Sequence, residues 1–189
     1  MNRRQAIERV AWILGGTVIG AEFFVSGCKS NEHKTEDLFD TDHVAYMNEI
    51  GETILPQTTT PGAKAANVGQ FMAVMVRDCY TPDDQKVFNN GLNQLNDECN
   101  KKYGKKFMEL DAKQRTDVLN TLDKEQIAYT KTKKPDAPNH YFRMLKELTL
   151  LGFFTSEVGC TKALRYLPVP GKFIGDYPYK KGDRAWALA

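Results

Sequence analysis

Of the 189 residues only three are histidine, four are cysteine and two are tryptophan. No two cysteines have CxxC spacing and no histidine stands at ligand spacing from a cysteine, so a structural zinc site has no ligand set to draw on. CxxCH is absent, which removes c-type haem attachment. GxGxxG is absent, so no self-contained FAD or NAD domain is expected. The GxSxG elbow, HExxH and the EF-hand loop are missing too. Charge of one sign is also lacking: 26 basic residues stand against 24 acidic ones. Nucleic-acid binders show a basic face, so no nucleic-acid partner is expected, and the densest basic run, Lys131 to Lys134, reads as solvated surface. No window alternates apolar and polar residues over a strand's length, which leaves an all-α domain.

What is present begins at the N-terminus. Arg3, Arg4 and Arg9 form a basic stretch, Val10 to Ala21 form an uncharged apolar one, and Val25-Ser26-Gly27-Cys28 reads as a lipobox. The apolar run is too short to span a bilayer, which takes roughly 20 residues. Residues 1–27 are therefore expected to be a lipoprotein signal peptide and Cys28 the lipid-bearing first residue of the mature chain. Arg3-Arg4 leaves both twin-arginine and Sec export open. Glu22, between the apolar stretch and Phe23-Phe24, fits the competing reading of a buried N-terminal helix. The expected location is that of an exported, membrane-anchored lipoprotein facing the periplasm of a Gram-negative bacterium, with the leaflet left open. Without the leader's three arginines and two glutamates, 23 basic and 22 acidic side chains remain.

In an oxidising compartment Cys79, Cys99 and Cys160 make an odd number, so at least one is free or bonds another chain. A Cys79–Cys99 bridge is not expected. Cys99 falls roughly 25 Å along its helix at 1.5 Å per residue, so both are read as buried thiols. Cys160 is the better candidate for an intermolecular bond. His33, His43 and His140 are isolated and read as solvated or satisfied side chains.

Residues 28–40 read as a polar tether, and the helical domain is expected over 41–189. Thr41 is an N-cap candidate, with Val44, Met47, Ile50 and Ile54 at helical spacing before Pro56. A second helix is predicted over 67–80, with Val68, Phe71, Met72, Met75 and Val76 on one side. Thr81-Pro82-Asp83-Asp84 opens a third, striped by Phe88, Leu92, Leu95, Cys99 and Tyr103 and ending at Gly104. Asp111 and Gln114 approximate a capping box for a fourth, with Val118, Leu119, Leu122 and Tyr129 inward. The most apolar helix is predicted over 139–153. There Tyr141, Leu145, Leu148 and Gly152 share one side, Phe142, Met144, Leu151 and Phe153 fill the others, and only Arg143, Lys146 and Glu147 are wet; it is the expected central helix. Thr155-Ser156-Glu157 caps a short helix through about Arg165, giving five to six helices in all. The acid Glu157 sits where it would stabilise that helix's first turn.

Residues 166–189 differ: prolines and glycines punctuate a run of aromatics. Such a segment either wraps its own domain or docks on a partner. Tyr166, Phe173, Tyr177 and Trp186 are the candidate anchors, and Arg165 and Arg184 can pair with partner carboxylates.

The stretches Phe153-Phe-Thr-Ser-Glu-Val-Gly159, Ala163-Leu-Arg-Tyr-Leu-Pro-Val-Pro-Gly171 and Lys181-Gly-Asp-Arg-Ala-Trp186 carry a family resemblance. With Ile54-Leu-Pro56 and Thr60-Pro-Gly62 after an export signal, the chain resembles the gluconate 2-dehydrogenase subunit 3 family. Its members are small exported helical proteins accompanying a large flavin-dependent oxidoreductase of the glucose–methanol–choline (GMC) type, often with a cytochrome c subunit. The resemblance implies a non-catalytic accessory subunit that aids folding, co-export or stability of a sugar or polyol dehydrogenase. FAD would then belong to the partner and no cofactor to this chain. The competing class is a free-standing envelope lipoprotein with a binding or scaffolding role. An adjacent reading frame carrying an N-terminal GxGxxG would discriminate the two.

Overall fold

The computed structural model describes residues 38–169 and 171–187. The leader, Cys28 and the tether as far as residue 37 lie outside the described residues. Five α-helices carry the domain: α1 Thr41–Ile54, α2 Val68–Cys79, α3 Pro82–Tyr103, α4 Ala112–Thr132 and α5 Tyr141–Thr155. Among the described residues there is no strand, and the fold is all-α.

Local chemistry sets most helix ends. Asp40, one residue before the expected cap, accepts the His43 amide at 2.8 Å, and Thr41 is the first helical residue. Thr81 caps α3 through the Asp84 amide, with Pro82 at the first helical position. Gly104 ends α3 with φ +67°. Asp111 and Gln114 exchange both capping-box hydrogen bonds at the start of α4, at 2.8 and 3.2 Å. His140 begins α5, its Nδ1 accepting the Phe142 amide at 3.2 Å. Burial pushes the imidazole pKa down, which favours the neutral, accepting ring. The start of α2 is capped from another helix: Asn48 of α1 accepts the Gly69 amide at 2.8 Å and donates to the Asn67 side chain at 2.9 Å.

Helix α5 packs against each of the other four. Its Leu145 joins Met47, Ile50, Met72, Val76, Phe88 and Leu95 in a core with no exposed surface. Each such side chain contributes roughly 1.5–3 kcal/mol by leaving water. Thr149, fully buried on α5, donates its hydroxyl to the Leu145 carbonyl at 2.7 Å.

Two short 3-10 turns, Ala63–Ala66 and Phe107–Glu109, join helices where only loops were expected. Arg115 of α4 ties the second to α1. It donates to the carbonyls of Phe107 and Met108, pairs with Glu49, and lies over the Phe107 ring.

Three positions correct the helical pattern. Tyr129 is 37 % exposed, and Gln126 is buried instead. The Tyr129 side chain lies over the loop that follows: its hydroxyl donates to the Pro138 carbonyl at 3.1 Å, and its ring stands 5.8 Å from that of His140 at the start of α5. Leu151 faces outward at 46 % exposure, beside exposed Leu150 and Phe154. Cys79 is an exposed thiol and not a buried one, because Val76 takes the inward place on the last turn of α2; Cys99 is buried, and both are free.

Candidate functional site

The end of α5 turns through Ser156. Its hydroxyl accepts the Gly159 amide at 3.0 Å and donates to the Phe153 carbonyl at 2.6 Å. The predicted short helix follows, but as a single π-helical turn, Gly159–Ala163, that stops before Arg165. At Gly159 a Cβ would meet the Phe153 carbonyl oxygen at 1.9 Å, so only glycine lets the turn close this tightly. Cys160 is half-buried on the turn, its thiol 3.2 Å from the Phe154 carbonyl.

Leu164 is extended and sends the chain out of the bundle. Arg165 then meets the far end of the C-terminal segment. Its amide donates to the Ala185 carbonyl at 2.8 Å, and the Ala187 amide donates to its carbonyl at 2.8 Å, a parallel bridge between Arg165 and Trp186. The Arg165 guanidinium lies 4.5 Å from the Trp186 ring centre and 5.4 Å from that of Tyr177. Those two rings meet edge to face, 5.9 Å apart. Arg184 donates to the Lys162 carbonyl at 2.6 Å, tying the segment to the π-helical turn. The segment is thus a loop closed at its base, not a wrap around the domain.

The predicted anchors divide accordingly. Arg165, Tyr177, Arg184 and Trp186 come together at the base of the loop. Phe173 stands apart at 95 % exposure, and Val169 and Tyr179 are also largely in solvent. Tyr166 and Leu167 are exposed just outside the base. A shallow pocket of about 390 Å³ lies there, lined by Arg165, Arg184, Thr161, Leu164, Tyr166, Leu167 and Trp186. Sequence reasoning missed Thr161 and Leu164; the π-helical turn that delivers them carries no local signature. It also missed the outward apolar strip of Leu150, Leu151 and Phe154, whose spacing along one helical face was the available signal.

Among the described residues no three His, Cys, Asp or Glu side chains lie close enough to hold a metal ion. Among the same residues no helix is long and apolar enough to cross a membrane.

The family model described as gluconate 2-dehydrogenase subunit 3 matches residues 41–171. That range takes in all five helices, the π-helical turn, Cys160, Arg165 and Tyr166. Phe173, Tyr177, Arg184, Trp186 and the 181–186 stretch lie beyond it. No curated protein and no solved structure matches the chain.

Proposed function

Because the chain belongs to the gluconate 2-dehydrogenase subunit 3 family, we propose that it is the non-catalytic small subunit of a flavin-dependent sugar or polyol dehydrogenase. The flavin sits in a GMC-type partner subunit, and a cytochrome c subunit completes the electron path. The observation that carries this reading is the family match across the whole helical domain. In the complex the chain supports folding, co-export or stability of the flavoprotein and is held to the membrane by lipid on Cys28. Its C-terminal loop is the docking element: a fully exposed Phe173 on a loop with a fixed base presents a large ring that has only two side-chain torsions to fix on burial.

The polar groups of the pocket fit a binding role. They come from two guanidiniums, the Tyr166 and Trp186 side chains, and a Thr161 hydroxyl already donated to the Glu157 carbonyl.

Co-expression with the flavoprotein encoded beside it tests the reading. The full chain is expected to co-purify with that flavoprotein, and truncation after Leu167 to abolish co-purification while circular dichroism keeps its helical signal. Sugar oxidation by the purified chain alone would overturn the accessory reading. Unfolding of the truncated chain would make the segment a structural part of the domain.

A further inference from the structure

Of the five arginines among the described residues, Arg77, Arg115, Arg143 and Arg184 each donate side-chain hydrogen bonds. The Arg165 guanidinium donates none, and its Nε is buried without a partner. Its contacts are the rings of Trp186 and Tyr177, which hold the guanidinium plane in place without using its N–H groups. Arg184 lines the same pocket, and no acidic side chain does. Asp183, the nearest acid in sequence, accepts the Lys180 amide at 3.0 Å within its own turn. A fixed, partly desolvated guanidinium with unused donors beside a second one is a site prepared for an anion, and a carboxylate matches its fork.

We propose that this pocket receives a carboxylate side chain of the flavoprotein partner, held between Arg165 and Arg184. The proposal rests on the reading of the C-terminal loop as the docking element. The occupant is a protein group because the pocket is shallow and open, whereas sites for free small molecules enclose most of their ligand. It also lies at the base of the same loop that carries the exposed Phe173. A carboxylate reaches Arg165 end-on, through its terminal amino groups, since the buried Nε presents no surface to the pocket.

The test uses the full chain and the co-expressed flavoprotein. Arg184→Glu is expected to weaken assembly at least tenfold, and Arg165→Lys, which keeps the charge and loses the fork, by several-fold. Changing one Asp or Glu on the partner to Lys is expected to restore binding to Arg184→Glu, which a merely structural loss at Arg184 would not allow. If truncation after Leu167 abolishes binding but Arg184→Glu binds as wild type, the pocket proposal is wrong and the docking reading stands. If the truncation has no effect, both are wrong. Failure of every single partner reversal to restore binding also overturns the proposal. In a Trp12→Phe chain Trp186 is the sole tryptophan. A change in its emission on adding millimolar sodium gluconate, with assembly unaffected by Arg184→Glu, would assign the pocket to a free acid instead.

Discussion

Gly91 of α3 lies so close to Tyr141 of α5 that a methyl group at 91 would stand 2.2 Å from the root of the tyrosine ring. Neither side can swing away, since the nearest atoms include Tyr141 Cβ and both residues are buried. Gly91→Ala gains roughly 1 kcal/mol of helix propensity but overpacks a core contact at a cost of about 1–3 kcal/mol or more. The expected net result is a destabilisation of about 1–2 kcal/mol, seen as a lower thermal midpoint. A midpoint at or above wild type would mean that α3 and α5 do not approach this closely.

Arg115 and Glu49 form a second checkable pair. Both are mostly buried, and Glu49 also accepts from Lys64 at 2.7 Å. Arg115→Ala leaves three acceptors short of a partner and should cost about 2–4 kcal/mol in chemical denaturation.

Acid should find the same place. The Lys64 hydrogen bond first, and then Arg115, hold the Glu49 carboxyl pKa below its ordinary value. A carboxylate with a depressed folded pKa contributes stability above its unfolded pKa, about 4.3, and loses it as pH falls through the folded one. His140, whose pKa burial lowers, adds a milder loss as pH falls below about 6.5, because protonation removes the α5 cap. Unfolding free energy is expected to decline gently from pH 7 to 5 and steeply below 4.5. The steep part should shrink in Arg115→Ala.

Thiol chemistry separates three cysteines. In a Cys28→Ser chain, Cys79 should react with a thiol reagent first, because it is exposed. Cys160, half-buried, should follow. Cys99 should react only on unfolding: it is fully buried, and burial pushes its thiol pKa up to about 11. If the flavoprotein is disulfide-linked to this chain, the band on a non-reducing gel should vanish in Cys160→Ser and persist in Cys79→Ser.

Intact mass spectrometry of membrane-extracted protein should find a mature chain starting at lipid-modified Cys28. Cys28→Ala should leave the chain soluble or unprocessed. An unmodified Cys28 in the mature wild type would remove the anchor.

Elements fixed by neighbours in sequence were the legible ones. Thr81-Pro82, Asp111 with Gln114, and Gly104 act within three or four residues, and each stands where the pattern put it. The central place of α5 was legible because apolar residues surround all but a narrow stripe of it. Tyr129 and Leu151 do not lie inward, against the pattern, because helical spacing says which residues share a face, not which faces the neighbouring helices cover. Asn48 capping α2, and Gly91 making room for Tyr141, depend on helices meeting in space. The site was half legible. Composition marked Arg165, Tyr177, Arg184 and Trp186 as a group, but their meeting depends on a bridge between residues 21 apart and on one guanidinium choosing aromatic faces. No local preference encodes that choice, so free anchors and loop closure looked alike.

The wall shared by all the helices is α5, and it is also the last α-helix to leave the ribosome. Until residue 155 has been made, α1 and α2 can pack on each other, but the side of the core that α5 supplies is missing. A chain built in this order cannot complete its core stepwise from its N-terminus, as segments with self-sufficient cores do. The core stays unfinished for most of its synthesis, which at 5–20 residues per second is on the order of ten seconds or more. Were the chain exported as its leader leads one to expect, a threading translocase would meet a pliant strand in that interval. A pathway that carries only finished proteins would have to wait for the final helix.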